Sequence, residues 1–152
     1  MNEQLYRIVK EMNDAEYACN LMLLEVYKDL LDSPLTASQT ILLEYLHQQR
    51  QQTVKELAEK LKMTSSAVSQ QITKLEQEGY VKRHINPQNR REILVELGEQ
   101  GHRYFMRQAE VEKSIAERFY AKLEPEELLA MRDLVFKLKG IVEAELTKES
   151  GI

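Results

Sequence analysis

Apolar residues recur at three- and four-residue steps along most of the chain, the spacing of helices that each bury one face. Over residues 3–31 the stripe runs through Leu5, Ile8, Val9, Met12, Cys19, Met22, Leu23, Val26, Leu30 and Leu31. It predicts one long amphipathic helix, ended by Ser33-Pro34. Thr36-Ala-Ser-Gln39 has the spacing of a capping box and opens a second helix with Ile41, Leu42, Tyr45 and Leu46, ending in the glutamine-rich run 48–52. Thr53-Val-Lys-Glu56 repeats that signal for a short helix holding Leu57, Ala58 and Leu61. Lys62-Met63 then connects tightly to a fourth helix, with Thr64 as N-cap, Val68, Ile72 and Leu75 on one face and Gly79 as its stop.

After Gly79 the pattern changes. Tyr80 to Ile85 and Arg91 to Leu97 read as two strands, joined by the turn-rich tip Asn86-Pro-Gln-Asn-Arg90. Two more helices are expected over about 98–121 and 125–147, the second with Pro125 at its first helical position. On that last helix Leu128, Met131, Val135, Leu138 and Val142 follow alternating steps, and Leu134, Ile141 and Leu146 widen the stripe. This is more apolar surface than one neighbouring helix needs, which points to an interface with a second copy; an intramolecular core is the alternative. The expected organisation is therefore an N-terminal dimerisation helix over 1–34, a winged helix-turn-helix over 35–97, and C-terminal helices over 98–152 that complete the dimer. The fold class is mainly α with a small β-hairpin wing.

The fourth helix raises the functional question. With Val68, Ile72 and Leu75 inward, a step of about 100° per residue puts Ser66, Gln70, Thr73 and Gln77 on the opposite side, flanked by Ser69 and Lys74. That face is polar but nearly uncharged. Solvated helix faces tend to carry Glu and Lys pairs, whereas short hydroxyls and Gln suit the base edges of a major groove. Small Ala58 on the preceding helix and the short link between the two fit a helix-turn-helix. The hairpin that follows adds Lys82, Arg83, Arg90 and Arg91, as in a winged helix, where a tip arginine enters a narrow minor groove or holds the phosphates beside it. The alternative for either tip arginine is an ion pair with a nearby acid that fixes the hairpin.

Net charge at first argues against such a partner, since the chain of 152 residues stands at −4. Its distribution reverses the argument. Residues 1–49 hold 3 Lys and Arg against 8 Asp and Glu, residues 50–91 hold 9 against 4, and residues 92–152 hold 9 against 13. A basic centre between acidic arms is what a phosphate-binding surface needs. The hydrophobic share of 43% and charged share of 30% fit a soluble globular protein, and no signal peptide or membrane-spanning run is read. The single Cys19 forms no intramolecular disulfide, so a reducing cytoplasm is the expected compartment.

The order of elements and the strings LTASQ, TVKELAEKL, SSAVSQQITKLEQEGYVKR and NPQNRREILVEL resemble the MarR family, the multiple antibiotic resistance regulators. The resemblance is strongest over about 35–101. It implies a homodimeric winged helix-turn-helix transcription factor, usually a repressor, that binds pseudo-palindromic double-stranded DNA and often releases it on meeting a small-molecule effector or an oxidant. It also implies that the recognition helix is the one holding Thr64, Ser65, Ser66, Ser69, Gln70, Thr73 and Lys74, and that the wing arginine of the family's Asp-x-Arg motif is Arg91. Two positions depart from the family: Asn89 replaces the acid of that motif, and Gly98 stands where a Thr is usual, which predicts a less firmly capped next helix.

Candidates for a switch are few. Some branches of the family sense hydroperoxides through a cysteine in the first helix, but there the cysteine lies farther from the second helix and is met by tyrosines, where this chain has Ala37 and Thr40. Cys19 is expected instead to act as a small buried hydrophobe, with a redox-switched regulator as the alternative. His47, His84 and His102 lack paired ligand spacing, so no metal or other cofactor is expected. His84 is expected to face solvent or DNA, and His47 to sit near a helix end that favours a cation. A ligand pocket is implied by the family, with Tyr17, Tyr27 and Tyr45 as weak candidates. No phosphate-binding glycine loop, nucleophile elbow or metal cluster marks an enzyme. A winged helix that recognises protein instead of DNA is the remaining rival.

Overall fold

The computed structural model describes residues 2–31 and 33–149. Its contacts divide the chain into two compact units, Met1–Ala109 and Glu110–Ile152. The first holds α1 (Glu3–Leu31), α2 (Ala37–Gln48), β1 (Gln51–Thr53), α3 (Val54–Leu61), α4 (Ser65–Gln77), β2 (Val81–Ile85), β3 (Ile93–Leu97) and the first half of α5 (Glu99–Arg118). The second holds the rest of α5, a 3-10 turn over Tyr120–Lys122 and α6 (Pro125–Glu149). The division falls inside α5, whose Tyr104 is buried in the core of the first unit with Phe105 packed against it. Among the described residues no helix is long and apolar enough to cross a membrane.

The helix starts follow from their side chains. Thr36 accepts from Gln39 N–H and the Gln39 side chain accepts from Thr36 N–H, a reciprocal capping box; Thr53 and Glu56 repeat it, and Thr64 accepts from Ala67 N–H. Each cap satisfies amide groups that would otherwise lack partners in a first turn. The Thr53 backbone and hydroxyl hydrogen bonds hold the Glu56 carboxyl below its usual range. Between α3 and α4, Lys62 adopts a left-handed conformation at φ 53°, and Met63 N–H reaches back to the Ala58 carbonyl, so the link is as short as its two residues suggest.

Leu42, Leu43, Leu46, Leu57, Val68, Ile72, Leu75 and Val95 are fully buried and form the centre of the winged domain. The sheet has three antiparallel strands in the order β1-β3-β2, not the two expected. The glutamine-rich run supplies the third: Gln51, Gln52 and Thr53 pair with Glu96, Val95 and Leu94. The second strand of the hairpin begins at Ile93, two residues later than expected, because Asn86 and Glu92 close the tip through backbone and side-chain hydrogen bonds; the first ends at Ile85 as expected and starts one residue late, at Val81.

Gly79 follows α4 with φ 76°, a conformation that favours glycine. Its carbonyl accepts from Gln100 N–H at 3.1 Å, and a Cβ on Gly98 would collide with that same carbonyl. The departure from Thr at position 98 is thus a packing requirement. Gly98 gives its own carbonyl to His102 N–H at 3.0 Å but has no side chain to cap α5.

The arms differ from the winged domain. On α1, Leu5, Ile8, Val9, Met12 and Met22 are all exposed, and so is Cys19, which was expected to be buried. The side chains of Leu30 and Leu31 lie outside the described residues. On α6, Met131, Val135, Leu138 and Val142 are exposed, and so are Leu129 and Phe136 beyond the expected stripe. A helix apolar around so much of its circumference is built to be covered.

Candidate nucleic-acid interface

Helix α4 turns Val68, Ile72 and Leu75 into the core and leaves Thr64, Ser65, Ser66, Gln70, Thr73, Lys74 and Gln77 exposed, with Ser69 half-buried. The expected polar face is therefore present on one side of one helix. Gln71, on its edge, donates through Nε2 to Ser38 Oγ at 3.0 Å and ties α4 to the first turn of α2. Sequence reading did not single out Gln71, although it lies one residue before the buried Ile72 and so had to approach a neighbouring element.

The hydroxyls on this face are not equivalent. Thr64 is occupied by its cap, and Thr73 Oγ1 donates to the Ser69 carbonyl at 2.9 Å. Ser65, Ser66, Gln70 and Lys74 have no side-chain partner among the described residues, so their donors and acceptors remain available to a ligand.

Strand β2 runs back along the end of α4 and brings Arg83 to it. The Arg83 guanidinium donates through Nε to Glu76 Oε2 at 2.8 Å and through a second nitrogen to the same oxygen, while Arg83 N–H donates to Oε1 at 3.2 Å. The third guanidinium nitrogen lies 3.5 Å from Thr73 Oγ1. The Arg83 hydrogen bond holds the Glu76 carboxyl below its ordinary value. Arg83 therefore joins the α4 surface already committed to an acid.

Side chains alternate across a strand, and Lys82 accordingly goes to the other side of the sheet from Arg83. There it lines an open groove of about 760 Å³ with Leu46, His47, Gln49, Arg50, Gln51, Glu96, Leu97 and His102. The structure separates Lys82 from the polar face of α4. None of Tyr17, Tyr27 and Tyr45 lines this groove: Tyr17 is exposed, Tyr27 is buried, and the Tyr45 ring lies 5.3 Å beneath Lys60 Nζ.

At the wing tip Arg90 and Arg91 are exposed and have no acidic partner among the described residues. Asn89, at the position of the missing acid, accepts from Arg91 N–H at 3.3 Å, and Asn86 accepts from Gln88 N–H at 3.0 Å. Short polar side chains thus shape the tip through the backbone and leave both guanidinium groups unpaired. Of the histidines, His84 is half-buried on β2 and the His47 ring stacks on Phe105. Among the described residues no group of three His, Cys, Asp or Glu is placed to hold a metal ion.

The MarR family model matches residues 35–93, the span from α2 to the start of β3. The chain is 26% identical over 138 residues to the HTH-type transcriptional repressor MdtR of Bacillus subtilis (strain 168), covering 88% of this chain and 89% of MdtR. Among solved structures it resembles the YusO protein of Bacillus subtilis at TM-score 0.68 and 26% identity, over 92% of this chain and 98% of that one. It also shares its fold with Streptococcus pneumoniae FabT in complex with DNA, at TM-score 0.69 and 19% identity, over 91% and 98% of the two chains.

Proposed function

From the match of residues 35–93 to the MarR family model and the likeness to MdtR, we propose that the chain is a MarR-type transcriptional regulator, a cytoplasmic, homodimeric repressor. In this reading it binds a pseudo-palindromic operator in double-stranded DNA and leaves it when a small-molecule effector binds. The observation that carries it is the surface of α4, with Ser65, Ser66 and Gln70 exposed and unpartnered beside Lys74.

These residues divide into two roles. Gln70 offers an amide that can pair with adenine N6 and N7, and Ser66 and Ser69 suit either partner of a base pair, so α4 reads base edges in the major groove. Arg90 and Arg91, with no acid to neutralise them, take phosphates or the adjacent minor groove, and Lys74 takes the backbone. Thr73 contributes from a hydroxyl whose proton is given to Ser69, which leaves it an acceptor and a methyl group.

Two copies are needed for a palindrome, because one α4 covers one half-site and the next half-site lies one helical turn, roughly 34 Å, away. The exposed apolar faces of α1 and α6 are the surfaces that bring the copies together. FabT was captured on DNA and MdtR is described as a repressor, which supports the partner and the sign of regulation proposed for this chain. The open groove beside the sheet offers room for an effector.

The test is selection of bound fragments from the source organism's genomic DNA, with affinity followed from low to moderate salt. Recovery of a site with two symmetric halves and a steep salt slope is expected. Failure to enrich any duplex, with or without added metabolite extract, would replace this reading with a protein-binding winged helix.

A further inference from the structure

Helix α4 carries one carboxylate along its length, Glu76, and that acid is an i, i+3 neighbour of exposed Thr73. An anion beside a surface that meets a polyanion is repelled by every nearby phosphate. Both carboxylate oxygens are nevertheless occupied by one residue: Oε2 accepts from two guanidinium nitrogens of Arg83, one at 2.8 Å, and Oε1 accepts its backbone N–H at 3.2 Å. The pair is only about one-third exposed, at 32% for Arg83 and 35% for Glu76. The remaining guanidinium nitrogen lies 3.5 Å from Thr73 Oγ1.

We propose that Arg83 is a positioning residue for DNA recognition, which covers the Glu76 carboxylate and anchors β2 to α4 without itself neutralising a phosphate. The inference rests on the reading of α4 as the DNA-facing helix. It sets Arg83 apart from Arg90 and Arg91, whose guanidinium groups have no acid to cover. A planar, forked cation is needed because it meets one oxygen through two nitrogens while its backbone meets the other; an ammonium on a flexible stem does not reproduce that geometry. The pair carries no net charge, so it releases no counterion when DNA binds.

The experiment uses the full chain and a duplex that the unsubstituted protein enriches from a random library, with affinity measured over a salt series. The variants are Arg83→Ala, Arg83→Lys, Glu76→Gln, Glu76→Gln with Arg83→Ala, and Arg91→Ala as the reference for a phosphate contact. Arg83→Ala is expected to weaken binding about tenfold by uncovering Glu76, and adding Glu76→Gln is expected to restore it to within about threefold of the parent. Arg83→Ala with Glu76→Gln keeps the parent's salt slope, because neither an anion nor a phosphate contact is gained or lost, whereas Arg91→Ala lowers it by about 0.9. Arg83→Lys retains charge but loses the fork, and binds between the parent and Arg83→Ala.

A slope reduced by about 0.9 in Arg83→Ala, without restoration by Glu76→Gln, would make Arg83 a phosphate contact and overturn the proposal. Should Arg83→Ala fail to fold by circular dichroism, the folded double variant decides the matter by its slope: parental supports positioning, reduced overturns it. If the unsubstituted protein enriches no duplex at any salt, it is the underlying DNA reading that fails.

Discussion

Lys60 Nζ donates to the side-chain oxygen of Gln52 at 2.6 Å, and so closes one end of a carboxamide that is 2% exposed. The other end donates through Nε2 to the Tyr45 carbonyl at 2.7 Å. One buried glutamine therefore joins the last turn of α2, strand β1 and helix α3. Replacing it with Leu keeps the volume but leaves the Tyr45 carbonyl and the Lys60 ammonium without that partner. Gln52→Leu is expected to destabilise the chain by about 1–3 kcal/mol, read as a lower midpoint in urea at unchanged slope.

This pair also shows where local sequence reasoning stops. The capping residues Thr36, Thr53 and Thr64 were legible because each cap and its partner lie three residues apart, and the amphipathic stripe of α4 was legible for the same reason. Strand β1 was not. Three residues of Gln and Thr have no pattern of their own, and they become a strand only by pairing with Leu94, Val95 and Glu96 more than forty positions away. Arg83 was legible as a basic residue near the wing, but its pairing with Glu76 depends on the turn at Gly79 that folds β2 back on α4. The separation of Lys82 from Arg83 follows from strand alternation, yet which side meets α4 is set by the core around Val81.

Gly98 tests a second long-range contact. Its Cα faces the Gly79 carbonyl so closely that any side chain displaces the backbone at the end of α4. Gly98→Ala is expected to cost about 1–3 kcal/mol through overpacking, measured as a fall in thermal midpoint. Because α4 ends at this contact, the same variant is expected to weaken DNA binding at temperatures where it remains folded.

Acid stability follows from two carboxyl groups. Glu56, hydrogen-bonded to Thr53, and Glu76, hydrogen-bonded to Arg83, both have folded-state pKa values below the ordinary 4.5. A depressed carboxyl contributes stability that is present above the unfolded value and is lost as pH falls through the folded one. The thermal midpoint should therefore drop as pH is lowered below about 4.5, and Glu56→Gln with Glu76→Gln should flatten that drop. At position 56 Gln keeps the capping geometry, as Gln39 does at the start of α2, so an unchanged acid limb would show that other groups govern it.

Self-association should depend on α6. Leu138 is 59% exposed, and a charge there opposes burial against a second copy. Leu138→Asp is expected to shift the protein from dimer to monomer in sedimentation and to remove the rise of thermal midpoint with concentration that a dimer shows. Lys137→Ala, one position away, changes neither; equal behaviour of the two variants would move the interface off this face.

The wing and the recognition helix should fail in different ways. Arg90→Ala and Arg91→Ala each remove one uncommitted cation, so each is expected to weaken all duplexes alike and to lower the slope of log affinity against log salt by about 0.9. Gln70→Ala removes no charge and should keep the slope; if the proposed readout of an adenine by Gln70 holds, the variant is expected to lose about 1–3 kcal/mol on the preferred duplex and little on others. Competition between the enriched duplex and its base-substituted forms separates the two. If Gln70→Ala weakened every duplex equally, readout at that position would belong to another side chain on α4. If both wing variants bound like the parent at every salt concentration, Arg90 and Arg91 would stand clear of the DNA and the wing would serve only to hold β2 beside α4.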